Sequence, residues 1–269
     1  MEHQQLVTLE ETARLAATEA AVLLRERWRE PKEISKKGFR DWVTDADVFL
    51  QKAITDLILA RHPGHGFLAE EAADNLPASG DVLWVVDPID GTTNFSRQLP
   101  IVSISIAATW QGESQVGVIL DPLRRELFSA SRRSLAQCNG HLIAVSQTHD
   151  LAEGIVAFDW AHSRQARQAT LDTLQFLGHE AQTLRAIGSA ALALAWVAAG
   201  RLDAYWNWSL NAWDFAAGAL IIEQAGGRCT TIDNKDLRAS PGRYSCLATN
   251  AVLHEHLLTM LDRTPFSNS

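Results

Sequence analysis

Cysteine is scarce in this chain: three residues in 269, Cys138, Cys229 and Cys246, with no C-x-x-C and no paired spacing. An odd, scattered set of thiols excludes a disulfide framework, and a reducing, cytoplasmic compartment is expected. Cations are not in excess either. Lys and Arg total 24 against 32 Asp and Glu, a formal net charge of −8, so no extended nucleic-acid footprint is expected. Long hydrophobic runs are missing as well. The longest, residues 190–199, is about half the ~20 residues that a membrane span needs. The opening MEHQQLVTLEE has neither the basic nor the apolar region of a secretory signal. The nine histidines include no H-E-x-x-H, which sets a zinc hydrolase aside. There is also no D-x-D-x-T and no C-x5-R, so no phosphoenzyme built on those nucleophiles is expected. What remains, 46% hydrophobic and 21% charged, is the composition of a soluble globular protein, long enough for one large domain or two modest ones.

The periodicities divide the chain into an α+β portion, residues 1–145, and an α/β portion, residues 146–269. In the first, Thr8-Leu9-Glu10-Glu11 has the capping-box pattern and predicts a helix over 8–28. Lys32 to Arg40 reads as a loop or hairpin. A second helix is predicted from Asp45 to the His62-Pro63-Gly64 stop, with Val48, Phe49, Ile54, Leu57 and Ile58 as its apolar face. Strands are predicted over 66–69, 82–86, 101–110, 115–120 and 126–130, the third and fourth paired across the Gln111-Gly112-Glu113-Ser114 turn. After 145, strands (154–158, 202–206) alternate with helices (163–177, 189–199, 213–225), and a last helix covers 251–261.

The chemistry concentrates in Val85-Val86-Asp87-Pro88-Ile89-Asp90-Gly91-Thr92-Thr93-Asn94-Phe95. An apolar strand runs into two carboxylates three residues apart, with Pro88 fixing φ between them and Gly91 permitting a sharp turn. Acids this close repel unless a cation or a proton lies between them. Carboxylate and carbonyl oxygens are the donors that Mg²⁺ takes, leaving positions for water and phosphate. Gly91-Thr92-Thr93-Asn94 then resembles a helix entry, whose free N–H groups form an anion site. Three further acidic features have bland readings when taken singly. Phe67-Leu68-Ala69-Glu70-Glu71 is an acidic strand end; Asp41 to Asp47 and Trp213-Asp214 look like helix caps.

Taken together and in this order, D-x-x-T-x-x-D (41–47), the Glu70-Glu71 pair, D-P-I-D-G-T-T-N-F (87–95) and W-D-x-A-A-G…E-x-A-G-G (213–227) resemble the inositol monophosphatase family over most of the chain. The resemblance implies an αβαβα five-layered sandwich of the inositol monophosphatase/fructose bisphosphatase type and Mg²⁺-dependent hydrolysis of a phosphate monoester. It also implies two or three ions, lithium sensitivity and a homodimer. Carried over residue by residue, Glu70, Asp87 and the Ile89 carbonyl match ligands of a first metal. Asp87, Asp90 and Asp214 match those of a second, and Glu70 helps to hold a third. Thr92 with Asp47 resembles the pair that orients and deprotonates the attacking water, with Glu70 beside it. Gly91 and Thr92 amides would hold phosphate, and Ser189-Ala190 would approach the substrate's ring. The partner implied is a small phosphorylated polyol or sugar.

The chain departs from the pattern at Asn207, which occupies the place of a glutamate that binds ring hydroxyls in the family, and at Ala69, where the family has glycine. Inositol monophosphate is the leading substrate; fructose-1,6-bisphosphatase and histidinol phosphatase activities are alternatives. A non-catalytic binding protein on this scaffold is the reading from a different class.

Overall fold

The computed structural model describes residues 1–30, 32–39, 41–71 and 80–264. Asp41, which opens the first acidic motif, lies in a strand, but its side chain is outside the described set. The chain runs α1 (His3–Arg27), a hairpin of β1 (Ile34–Gly38) and β2 (Asp41–Thr44), α2 (Asp45–Arg61), β3 (Gly66–Ala69), β4 (Val82–Asp90) and a short α3 (Thr92–Ser96). Five antiparallel strands follow: β5 (Ser103–Trp110), β6 (Glu113–Asp121), β7 (Glu126–Ser131), β8 (Ser134–Cys138) and β9 (His141–Leu142). The rest comprises β10 (Ile155–Phe158), α4 (Arg164–Glu180), β11 (Thr183–Ala186), α5 (Ala190–Ala198), β12 (Ala204–Leu210), α6 (Ala212–Gln224), β13 (Arg228–Thr230), β14 (Tyr244–Thr249) and α7 (His254–Leu261).

Besides the two-stranded β1–β2 hairpin, two large sheets and three helical layers result. The seven-stranded sheet has the order β3-β4-β5-β6-β7-β8-β9, and the five-stranded sheet β11-β10-β12-β14-β13. Alternation within the strands sorts side chains onto two faces. Trp84, Val86, Ile104, Ile106, Val116 and Val118 pack beneath α1 and α2. Val85, Ala107 and Ile119 face the other way, onto α5 and α6. Those two helices lie between the sheets, and α4 and α7 cover the far side of the smaller one. This is the five-layered sandwich. It also accounts for the apolar run 190–199: a helix with a sheet on each side has no solvent face, and Ala190 through Ala195 are all buried.

The middle layer sits close because the facing strands carry small residues. A Cβ at Gly117 of β6 would lie 2.6 Å from the Ala217 carbonyl oxygen in α6. Backbone cannot yield as a flexible side chain does, so Gly117→Ala should destabilise the protein by about 1–3 kcal/mol. Chemical denaturation checks this, and an unchanged midpoint would show that the layers are free to move apart.

Several predicted elements need correction. The first helix starts at His3, because the Gln5 side chain accepts from the Glu2 amide (2.9 Å) and closes an earlier turn than Thr8 would. The apolar face of α2 is Ala46, Leu50, Ile54 and Ile58, spaced by four and packed on α1; Val48 and Phe49 are 55% and 41% exposed. Phe49 is instead covered by the Arg27 guanidinium, 4.0 Å above its ring. Strands β8, β9, β11, β13 and β14, each of six residues or fewer, were not marked by the periodicity. Trp206 and Trp208 are core residues, packed against each other and Phe158, whereas Trp213 lines a cleft.

Candidate active site

Both sheets contain parallel strands, and the carboxyl ends of those strands meet across one cleft of about 390 Å³. In open α/β sheets this is where ligands bind, because connecting loops and helix starts converge there. In the larger sheet β3 and β4 are parallel, and the Glu70 amide donates to the Val86 carbonyl (3.1 Å), setting Glu70 beside Asp87. In the smaller sheet β10, β11 and β12 are parallel; their ends supply Asp159, Ile187-Gly188-Ser189 and Asn207. The pairing of β4 with β5 is irregular between Asp87 and Asp90, and that of β12 with β14 between Asn207 and Leu210. Such breaks re-aim side chains out of the regular pleat.

Glu70, Asp87, Asp90 and Asp214 all line the cleft, as does Ile89. Burial pushes the Asp87 carboxyl well above its ordinary range, and the charges of Glu70, Asp90 and Asp214 push it further. Burial, then Asp90 and Glu70, do the same to Asp214. Among the described residues no three or more His, Cys, Asp or Glu side chains stand in an arrangement that could by itself hold a metal ion. The donors that Glu70, Asp87, Asp90, Asp214 and the Ile89 carbonyl offer are all oxygens, the kind that Mg²⁺ takes while keeping several waters.

Asp90 is held differently. Its Oδ2 accepts from Ser103 Oγ (3.0 Å), the Ala191 amide (2.8 Å) and Ser189 Oγ, and its Oδ1 from the Ala190 amide (3.1 Å). The start of α5 therefore clamps this carboxylate across the two halves of the chain. Burial raises its proton affinity and these four bonds oppose the rise. Ser189 and Ala190, expected near the substrate's ring, line the cleft and at the same time secure Asp90.

The two cap-like acids each have one oxygen engaged locally. Asp47 is the third residue of α2; its Oδ2 accepts from the Thr44 amide (2.8 Å) and Thr44 Oγ1 (2.5 Å). Its Oδ1 accepts from Thr92 Oγ1 (2.9 Å), and the Ile89 carbonyl is a second acceptor for Thr92 at 3.1 Å. Donating its only proton inward leaves the Thr92 oxygen free to accept one from water. Asp214 holds the same place in α6, its Oδ2 accepting from the Asn211 amide (2.7 Å). Gly91 caps α3 with φ 99°, a left-handed conformation, and a Cβ there would lie 2.9 Å from the Gly188 carbonyl oxygen. Only glycine meets both conditions.

Asn207 lines the cleft but is committed to its surroundings. Its Oδ1 accepts from the Ser209 amide (2.9 Å), and its Nδ2 lies 3.3 Å from the Tyr205 hydroxyl. Neither periodicity nor motif singled out Trp42, Asp159, Trp160, His162, Arg167 or Arg243, which also line the cleft. Asp159 did carry a signal, an acid directly after the apolar run Ile155-Val156-Ala157-Phe158, the same pattern that marked Asp87.

The inositol monophosphatase family model matches residues 5–264. An inositol-1-monophosphatase of Synechocystis sp. is 37% identical over 265 residues, covering 97% of this chain and 91% of that protein. The Nus factor SuhB of Escherichia coli K12 is 40% identical over 215 residues, 79% of this chain and 80% of that one. Among solved structures, an IMPase/NADP phosphatase complexed with Mg²⁺ and phosphate superposes with a TM-score of 0.85 at 26% identity, covering 97% of each chain. Sequence and fold lead to one assignment: this chain belongs to the inositol monophosphatase family and is a phosphoric monoester hydrolase.

Proposed function

We propose that the enzyme hydrolyses a small polyol phosphate, inositol monophosphate first among them, in a reaction that depends on Mg²⁺. The observation that carries this reading is the meeting of four carboxylates with the Thr92–Asp47 pair around one cleft. Glu70, Asp87 and the Ile89 carbonyl would hold a first ion; Asp87, Asp90 and Asp214 a second, with Asp87 shared; and Glu70 a third, largely hydrated one. Bound there, Mg²⁺ would neutralise phosphate charge and make water more acidic.

The chain's own groups do the rest. Thr92 Oγ1, its proton committed to Asp47, accepts a hydrogen bond from water and orients it toward phosphorus; Asp47 takes the proton through the hydroxyl. The Gly91 and Thr92 amides bind phosphate oxygens at the entry to α3, where charge develops during transfer. Glu70, which also lines the cleft, would accept from the second hydrogen of that water. As the water oxygen bonds to phosphorus, the bond from phosphorus to the substrate's alcohol oxygen breaks; the alkoxide leaves with a proton taken from solvent water, and no residue becomes phosphorylated. The substrate binds with its alcohol portion toward Asn207 and Ser189-Ala190.

Turnover should vanish on exhaustive chelation and return on titration with Mg²⁺; Ca²⁺ should inhibit because it relaxes the geometry that transfer needs. Full activity after chelation overturns the metal assignment. A panel of inositol, fructose, histidinol and nucleotide phosphates separates the substrate from the fructose-1,6-bisphosphatase and histidinol phosphatase alternatives. Complete inactivity across that panel would leave the non-catalytic binding reading. Millimolar lithium should inhibit the same reaction. The remaining features of this reading are a cytoplasmic homodimer with no membrane or nucleic-acid partner. The net charge of −8 supports the lack of a nucleic-acid footprint; among the described residues no helix is long and apolar enough to cross a membrane.

A further inference from the structure

We propose that Trp160 is the platform on which the alcohol portion of the substrate rests, a specificity determinant that favours a ring-shaped alcohol over an open-chain one. The assignment rests on the polyol phosphatase reading above and deepens it.

Trp160 lies two residues past the end of β10, lines the cleft and is 38% exposed. Tryptophan is mostly covered in folded proteins, and Trp84, Trp206 and Trp208 of this chain are all buried. Trp42, 42% exposed, brings a second indole to the same cleft from β2, in the other half of the chain. Both share the cleft with the carboxylates of Glu70, Asp87, Asp90 and Asp214. Apolar surface beside a few fixed polar groups is the make-up of a small-molecule site, and covering that surface favours binding.

The ring is also held in place. Its edge meets Phe158 at 5.7 Å and 79°, and Phe158 in turn stacks on Trp206 at 5.6 Å and 17°. The Arg167 guanidinium lies over the indole, 5.4 Å from the ring centroid. The Nε of Arg167 donates to the carbonyl of Ala161, the next residue along, at 2.9 Å. Phe158 and Trp206 occupy the core beneath, so the indole cannot withdraw into it. A side chain fixed before its ligand arrives loses little freedom on binding.

Its place suits the alcohol portion. In the β10–β12 register Phe158 stands opposite Trp206, so the loop that carries Trp160 leaves the sheet beside the strand end that carries Asn207. The reading above turns the alcohol toward that end. A cyclitol or sugar ring has a face of C–H groups, and the electron-rich face of indole attracts them while covering their apolar area. An open-chain polyol offers less area and must give up internal rotations to lie flat. The competing explanation is a second copy of this chain covering the indole, and it moves a different measurement.

The test uses the full-length enzyme at saturating Mg²⁺, with kcat and KM measured for inositol 1-phosphate and for glycerol 2-phosphate. Trp160→Ala should lower the ring-over-chain ratio of kcat/KM by about tenfold, chiefly through a higher KM for inositol 1-phosphate. Trp160→Phe should keep most of the ratio. If the alanine variant does not fold by its melting profile, Trp160→Leu, which keeps apolar bulk without a planar face, should lower the ratio in the same sense. An unmoved ratio in a folded variant removes Trp160 from recognition and leaves the phosphatase chemistry standing. A changed mass in sedimentation with the ratio unmoved assigns the indole to an interface between copies and likewise overturns the platform. No Mg²⁺-dependent hydrolysis of either compound by wild type overturns both the platform and the phosphatase reading.

Discussion

Asp87→Asn should reduce kcat by at least about 10²-fold while raising the melting temperature of the metal-free protein. The two effects have one origin. Asp87 faces the charges of Glu70, Asp90 and Asp214 in a buried setting, and each of them opposes its ionisation. Removing one charge relieves that repulsion when no cation is present. The amide oxygen can still accept from the Ile89 N–H, which Asp87 Oδ1 does at 3.0 Å, so the local turn survives. The same change removes the ligand assigned to both principal ions, and with it the alignment of water and phosphorus. Asp90→Asn makes the contrast. Asp90 accepts four hydrogen bonds from Ser103, Ser189, Ala190 and Ala191, and an NH₂ group placed among those donors costs stability as well as activity. The measurements are kcat at saturating Mg²⁺ and melting temperature in chelator. Near-normal kcat in Asp87→Asn refutes its ligand role, and a lowered metal-free melting temperature refutes the repulsion.

Thr92→Val should lower kcat by roughly 10²- to 10⁴-fold with little change in KM, while Thr92→Ser retains most of the rate. Valine keeps the shape of threonine at the first position of α3 and deletes only the hydroxyl that donates to Asp47 at 2.9 Å. The backbone amides proposed to bind phosphate are untouched, so the loss should appear in the chemical step. A large rise in KM with kcat preserved would assign Thr92 to binding alone. Equal loss in the valine and serine variants would mean that the threonine methyl, not the hydroxyl, matters.

What could be read in the sequence was local. Asp87 to Phe95 holds a strand, a turn and a helix entry within nine residues, so its chemistry shows without knowledge of the rest of the fold. Asp47 and Asp214 were visible as helix-start acids; their second role depends on partners 45 residues away in one case and on packing between halves in the other. The face of α2 was misread because Val48 and Phe49 are as apolar as Leu50, and only the position of α1 decides which are covered. Asp159 was passed over for a similar reason. A single acid after a strand is common, and only the pairing of β10 with β12 brings it to the cleft beside Asn207. The short strands β13 and β14 carry little periodicity of their own; β13 pairs with β14, and β14 joins the sheet through β12, a long-range event.

The clamp between Asp90 and the start of α5 also bears on how the protein is born. Asp47, Glu70, Asp87 and Asp90 leave the ribosome well before Ala190 and Asp214, by on the order of ten seconds at about 5–20 residues per second. Through that interval the acids gather on a sheet whose other face, Val85, Ala107, Ile119 and Phe128, has no covering helix. The nascent chain is thus at its most charge-strained and most adhesive at the same moment. Arrival of α5 and α6 ends both conditions in one docking event, making competence for catalysis a late signal that synthesis has finished well.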